Sequence, residues 1–443
     1  MSVRKQGWHF ILFYCSLPFE MSINTLSNKA RMTILLAAFL GWFFGGVQIG
    51  MTNLINDAAK FLILEAGWSV GLDIKEINTL TANWYAYLQC AFLFGAAAGG
   101  WLFGRLGDRI GRTRALGISI LWFSVLTALA WFARDPIQLL VIRFLACLGI
   151  GGCWPNGVAL VSETWSKVAR PVMASMIGMA GNLGIFAFAT LMAKNPVSPD
   201  SFRWVFLVGA AATPLGLIIL FFLRESPAWL ASRNNPVQEN SDTLPAPSVF
   251  RKPYLGVTLV GIMLATVPLF GGWGSFSWII VWAAEIGAPE LKAQILQTRS
   301  LTSIIGSALA AVIALQIGRR TSYFVAALAA LLISQYIFWF TLPTDEGFLL
   351  LVALWGFFNG IFFGWLPFFL PELFETKIRA TGAGVSFNFG RILTATTIFL
   401  TPTLKAISGG NHVHVGRATS LVFLLGMIAV LLAPDTSKRD MDK

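Results

Sequence analysis

Charge is what this sequence has least of. Only 12% of its 443 residues are Asp, Glu, Lys or Arg, roughly half the share usual in soluble domains. With 56% hydrophobic residues and 42 glycines, a water-soluble fold is excluded. Cysteine is scarce too. Cys15, Cys90, Cys147 and Cys153 all lie in apolar segments with no CxxC or Cys/His spacing, so they read as packed thiols rather than a disulfide framework or a metal centre. No phosphate-binding glycine loop, triad spacing or ATP motif occurs, so neither enzyme chemistry nor a cofactor is expected. The ten-residue polar/apolar alternation of an outer-membrane barrel is also missing.

What the chain does have is long apolar runs of the length, about 20 residues, that crosses a bilayer. Read against turn signals, they predict spans near 33–55, 79–103, 115–133, 136–161, 172–193 and 202–223. A second set is expected near 254–283, 296–316, 321–341, 347–370, 381–403 and 416–433. The fold class is therefore all-α: a multi-pass cell-membrane protein with twelve transmembrane helices.

The net charge of +11 does not point to nucleic acid, because the basic residues sit between apolar spans and not on a soluble surface. Positive residues resist translocation and collect on the cytoplasmic side. The N-terminus, the even-numbered connections and the C-terminus hold 21 of the 32 Lys and Arg, the odd-numbered connections hold nine, and Arg143 and Arg391 fall inside spans. Both termini are expected in the cytoplasm. The segment Trp8 to Phe19, behind Arg4 and Lys5, is too short to span and lacks a small-residue cleavage site. It is expected to pack at the interface, or to precede a true start at Met21.

An internal repeat divides the chain. Gly111-Arg112 recurs as Gly318-Arg319 after 207 residues; Glu163 and Arg170 recur as Glu372 and Arg379 after 209; Glu225 and Asp435 are 210 apart. Two six-helix bundles in parallel repeat follow, over 33–223 and 254–434. They are flanked by the segment 1–32 and the tail 435–443 and joined by a cytoplasmic linker, 224–253, rich in Pro, Asn and Ser. Such halves enclose a mid-membrane site and rock about it. Gly104 removes a side chain where two helices must come close, and Gly111 suits a turn that needs positive φ.

The run Gly104-Arg105-Leu106-Gly107-Asp108-Arg109-Ile110-Gly111-Arg112 resembles the loop signature of the major facilitator superfamily. Arg143-Phe144-Leu145 through Gly149, Gly151 and Gly152 to Glu163 resembles its fourth span. Arg224-Glu225-Ser226-Pro227 to Leu230 resembles the end of the sixth span in its sugar and organic-acid porters, and Pro371-Glu372 with Arg379-Ala380-Thr381-Gly382 resembles the tenth connection. The resemblance implies that Asp108 accepts hydrogen bonds at the start of the eleventh helix, near Thr381, latching the cytoplasmic side. Gly104, Asp108, Arg109, Gly111 and Arg112 would then form a gate; Arg105, Arg109, Arg112 and Arg114 also serve topology. Leu315 stands where an acid would complete a second latch, so one lock is expected. Glu163 with Arg170, and Glu372 with Arg379, are candidate ion pairs that differ between gate states.

Ionisable residues inside a span mark function by default. Arg391 lies about ten residues into its expected span, roughly 15 Å deep, with Asn388 one turn before it. Asn182 and Asn359 reach comparable depth. A guanidinium fork suits a carboxylate or phosphate, so Arg391 is the leading candidate for an anionic substrate; a buried Arg bound to helix carbonyls or a neighbouring side chain is the competing reading. Arg143, also a candidate substrate residue, sits about 10 Å inside its span at a place the resemblance ties to proton coupling. Similar symporters carry Asp near Gly45 and Gln48, and several carry Glu where Cys153 stands; here no acid remains at mid-depth. The symport implied by the resemblance is thereby set against facilitated diffusion or exchange. Gln48 is a candidate because a buried amide requires partners. Trp273 joins it because Pro268, Gly271, Gly272 and Gly274 mark a broken helix that would line a cavity. His412 and His414 lack a third ligand and read as a solvated loop.

These readings converge on a monomeric transporter of a small organic anion, a carboxylate or acidic sugar. Its partners are the substrate, the bilayer and, if coupled, a proton. A neutral-sugar or polyol facilitator and a non-transporting sensor are the alternatives.

Overall fold

A computed structural model of the chain describes residues 26–165, 169–195, 201–234, 248–286, 291–407 and 412–436, with side chains at these positions except 53–57, 273, 281, 284–285, 292–293, 397–407 and 412. The Trp8 to Phe19 segment and Cys15 lie outside the described residues.

The described residues are all-helical. In chain order the helices are α1 Asn28–Glu65, α2 Ile74–Ile110, α3 Arg112–Leu129, α4 Pro136–Thr164, α5 Arg170–Lys194, α6 Trp204–Ala210, α7 Thr213–Phe222 and α8 Pro227–Asn234. They continue as α9 Leu255–Phe270, α10 Ser277–Glu285, α11 Leu291–Ile317, α12 Arg319–Phe340, α13 Phe348–Glu372, α14 Arg379–Ile407, α15 His412–Ser420 and α16 Val422–Leu432. Among the described residues, ten helical stretches are long and apolar enough to cross a membrane. The remaining two expected spans fall on α9 and α10, joined by a π-helical turn at Gly271–Ser275, and on α14.

Several helices overrun their expected spans because polar residues outside the apolar run still extend the hydrogen-bonded ladder. Asp73 and Glu76 close a reciprocal capping box ahead of α2, which starts it before Asn78 and satisfies two otherwise orphaned N–H groups. Asp135 caps α4, with Pro136 in the first turn, where its missing N–H costs nothing. Gly111 has φ 109° and Gly318 has φ 92°, a region closed to most side chains. Each ends one helix and begins the next at the equivalent point of the repeat. α15 already begins at His412, where a loop was expected, and His414 is exposed.

Aromatic rings fill the centre. Trp154 of α4 stacks on Phe387 of α14 at 4.0 Å, and Trp355 of α13 stacks on Phe276 at 4.5 Å. The outer face is the reverse of a soluble surface: Phe222 is 81% exposed and Leu431 65%, with Leu350, Leu425 and Ile428 also exposed. An apolar exterior of this kind is what a lipid environment requires. Cys90, Cys147 and Cys153 are buried free thiols, as expected.

Helices from the two ends of the chain meet along two seams. α2 lies against α14, and α5 against α11 and α13. Along the second seam the Ser175 hydroxyl donates to the Ser307 carbonyl at 2.7 Å.

Candidate functional site

Asp108 sits in the last turn of α2, three residues before the Gly111 break. Its Oδ1 accepts the Ala380 N–H at 3.1 Å, and its Oδ2 accepts the Thr381 N–H at 2.9 Å and the Thr381 hydroxyl. Those N–H groups belong to the first turn of α14, where a helix leaves donors unsatisfied and presents its positive pole. A carboxylate therefore docks there. The approach depends on Gly104, where a Cβ would stand 2.7 Å from the Ala380 carbonyl oxygen and 2.9 Å from Thr381 Cα. Backbone atoms cannot yield as a flexible side chain would, so only glycine fits.

Arg112, wholly buried, gathers the surrounding groups. Its Nη1 lies 2.8 Å from Asp108 Oδ1 and donates to the Gly107 carbonyl at 2.7 Å, while Nε and Nη2 reach Glu163 Oε1 at 3.3 and 3.2 Å. Nη2 also donates to the Thr376 carbonyl, across the seam. Glu163 Oε1 is shared with Arg379 Nη1 at 2.9 Å, and its Oε2 accepts the Ser226 hydroxyl at 2.5 Å.

Glu225, outside the spans, caps α3 by accepting the N–H groups of Arg112 and Thr113 at 3.0 and 3.1 Å, and that of Ser226 at 2.8 Å. Burial raises the pKa of its carboxyl, outweighing the lowering by these donors. Trp229 Nε1 donates to the Asp108 carbonyl at 2.9 Å.

The ion pairs differ from those suggested by sequence spacing. Glu163 pairs with Arg112 and Arg379, and Glu372 pairs with Arg319, whose Nη1 also reaches the Thr436 hydroxyl at 2.5 Å. Arg170 Nε donates to the Ser162 carbonyl at 2.7 Å. The reason is geometric: α4 ends at Thr164 and α5 starts at Arg170, so residues seven apart do not share one helical face. Arg109 is exposed in the last turn of α2. All of these gate residues lie where α2, α4 and α13 end and α3, α5 and α14 begin, with Arg109 turned outward.

Deeper in the bundle, Gln48 and Arg143 are buried and spent on each other. Arg143 Nη1 donates to Gln48 Oε1 at 2.9 Å and Nη2 to the Thr52 hydroxyl at 3.0 Å. The Gln48 amide donates to the Gly209 carbonyl at 3.1 Å, and Thr127 donates to Gln48 Oε1 at 3.1 Å. Asn182 donates to the Ser307 hydroxyl at 3.1 Å, across the second seam. Asn388 donates to the carbonyls of Gly151 and Gly384, both at 3.1 Å, tying α14 to α4 and to itself. The side chain of Trp273 lies outside those described.

Arg391 is different. It is 3% exposed, its guanidinium lies 4.9 Å from the Phe92 ring centroid and 5.6 Å from that of Phe387, and its Nε and Nη1 have no hydrogen-bond partner. Among the described residues no helix carbonyl accepts from those two nitrogens, and the side chains beside the guanidinium are the two aromatic rings. Asn359 is likewise buried, and both its amide atoms lack partners. Buried polar groups are ordinarily satisfied, and these atoms are exceptions.

Sequence reasoning missed Arg299. It falls three residues inside the expected span 296–316 but is tallied with the odd-numbered connection before it; in the structure it is the ninth residue of α11, within a span beginning at Gln294. Its guanidinium stands 4.7 Å from the Phe276 ring and 5.5 Å from that of Trp355. The signal was present: an Arg followed by nineteen residues without an acid or base, up to Arg319.

A family model described as Major Facilitator Superfamily matches residues 61–398. The chain belongs to the major facilitator superfamily. As a member it is a membrane transporter and not an enzyme, and it lies in the cell membrane as a multi-pass protein. It is 28% identical over 386 residues to a cis,cis-muconate transport protein of Acinetobacter baylyi, covering 85% of this chain and 91% of that protein. It is 25% identical to the sialic acid transporter NanX of Escherichia coli over 414 residues, 91% of this chain and 93% of that one. Among solved structures, the human organic anion transporter MFSD10 superposes with a TM-score of 0.70 at 16% identity, covering 91% of this chain and 100% of that one. The proton:xylose symporter XylE superposes with a TM-score of 0.71 at 18% identity, covering 94% and 98%. The two solved structures show a shared superfamily fold.

Proposed function

We propose that this superfamily member carries a small organic anion, a carboxylate or an acidic sugar, bound at Arg391 and moved by alternating access of two six-helix bundles. The observation that carries the reading is Arg391 itself: a guanidinium buried between two aromatic rings, with two nitrogens unpartnered. A cation held out of water needs an anion or a strong acceptor, and the Arg fork is shaped for a carboxylate. The names of the muconate and sialic acid relatives agree with that chemistry. The bundles are residues 33–223 and 254–434, with twelve spans in all and both termini in the cytoplasm, as the Lys and Arg distribution requires. The Asp108 latch then closes the cytoplasmic side, and Asn388 and Asn182 bind across the seams that open and close.

The neutral-sugar reading rests on the Arg224 to Leu230 resemblance and on the missing mid-membrane acids; in that segment Glu225, Ser226 and Trp229 are engaged with the latch, and the missing acids bear on coupling as much as on substrate. Transport is proposed to be independent of the proton gradient. The span carboxylates with described side chains, Glu65, Glu76, Asp108, Glu163 and Glu372, all lie in the first or last turns of their helices, and Arg143 leans on an amide and a hydroxyl.

Uptake into proteoliposomes of labelled carboxylates and neutral sugars, with and without a pH gradient, tests the proposal. Carboxylate uptake that is lost in Arg391→Gln and indifferent to the gradient is expected. Sugar uptake that survives the substitution overturns it.

A further inference from the structure

Arg391 is not the only cation in the spans without a carboxylate. Among the described residues no acid pairs with Arg299, whose guanidinium rests beside the rings of Phe276 and Trp355. A Cβ placed on Gly272 would lie 3.0 Å from Arg299 Nη2 and 4.0 Å from Asn359 Nδ2. The two polar groups thus converge on one point above the π-helical turn Gly271–Ser275, where the absence of a side chain leaves room. Asn359 is 1% exposed with both amide atoms unpartnered. It follows Trp355 by one helical turn, which puts the amide and the ring on one face of α13.

Depth separates this cluster from Arg391. Measured from the helix ends at the latch, where Arg319 pairs with Glu372 and α14 begins, Arg391 is about 18 Å along its helix and Arg299 about 27 Å along its own. The two arginines therefore leave different helices at backbone levels about 9 Å apart. A monoanion neutralises one of them and leaves the other uncompensated in a medium where charge is costly.

We propose, resting on the anion reading at Arg391, that Arg299 and Asn359 form a second carboxylate subsite and that the preferred substrate is a dianion with one carboxylate at each arginine. Arg299 supplies the fork, the Asn359 amide donates to the same carboxylate, and the broken helix at Gly272 admits it.

The test is the affinity of purified protein for succinate, glutarate, adipate, suberate and sebacate, each against the monocarboxylate of equal chain length. In the wild type at least one dicarboxylate is expected to bind about tenfold more tightly than its partner, or about 1.4 kcal/mol. Arg299→Gln should bring that ratio to within about twofold, and Arg299→Lys, which keeps charge but not the fork, should fall between. Asn359→Asp, which supplies Arg299 with a resident carboxylate, should collapse the ratio without removing the arginine, and so serves if Arg299→Gln does not fold. A wild-type ratio near one, or a ratio unchanged in both Arg299→Gln and Asn359→Asp, overturns the second subsite and leaves Arg391 standing. Affinity for both classes of acid unchanged in Arg391→Gln overturns the underlying anion reading, and binding of none of these acids overturns both.

Discussion

Replacing Asp108 by Asn removes one charge from the latch and very little volume. The carboxylate accepts two backbone N–H groups and one hydroxyl from the start of α14, at 3.1 and 2.9 Å for the amides. Hydrogen bonds to a charged acceptor contribute about 1.5 to 3 kcal/mol each, against about 0.5 to 1.5 for neutral ones. A negative group at a partly buried helix N-terminus adds up to about 2 kcal/mol. Asn keeps one acceptor oxygen, and its amide presents a donor to groups that are themselves donors. The latched state should lose about 2 to 4 kcal/mol relative to the unlatched one. At 1.4 kcal/mol per decade this moves the equilibrium by about 30- to 700-fold. Double electron–electron resonance between labels at Arg114→Cys and Lys377→Cys, both exposed near the latch, reads the change. The buried Cys90, Cys147 and Cys153 are shielded from the label, and Cys15 is replaced by Ser. A second, longer distance population is expected in Asp108→Asn, with substrate preference unaltered. Identical distance distributions in wild type and variant would refute the reasoning, because the carboxylate would then contribute nothing to closure.

Other perturbations probe the same architecture. Glu163→Gln leaves buried Arg112 and Arg379 without their shared carboxylate and should cost about 3 to 5 kcal/mol, seen as a lower Tm in detergent; an unchanged Tm contradicts this. Gly104→Val places a side chain against the backbone of Ala380 and Thr381 and should force the α2–α14 seam apart, giving the same long distance population as Asp108→Asn. Gln48→Glu sets a carboxylate beside Arg143 and should make uptake respond to a pH gradient; wild-type uptake already driven by the gradient refutes the reading. The raised pKa of Glu225 means that the folded state holds this proton more tightly than the unfolded chain does. Its contribution to stability is therefore greatest at low pH and declines as pH rises through the ordinary carboxylate range toward the folded pKa. That part of the Tm–pH slope should vanish in Glu225→Gln.

Much of the molecule was legible in the chain because its causes are local. Apolar length set the helices, with errors at the ends where caps such as Asp73 and Glu76 extend them. Gly111 could be read as a positive-φ break, and Gly104 as a point of close approach, from residue type and position alone. The docking of Asp108 near Thr381 was expected from the resemblance of Gly104 to Arg112, and the geometry agrees.

The site was less legible. Gln48 and Arg143 both looked like substrate residues, and only their rotation toward one another, 95 positions apart, shows that they satisfy each other. Glu163 finds Arg379, 216 residues away, instead of the nearer Arg170 suggested by spacing. Arg299 lies inside the expected span 296–316 yet was passed over with the connection before it, and only the packing of α11 shows which groups it meets. Sequence by itself determined which segments are helical, that they belong in a membrane, and that residues such as Arg143 and Arg391 lie within it, because hydrophobic length and the cost of burying charge act residue by residue. Only tertiary structure decided which of those polar groups are paired and which are left open, since that depends on the rotation and depth of helices far apart in the chain.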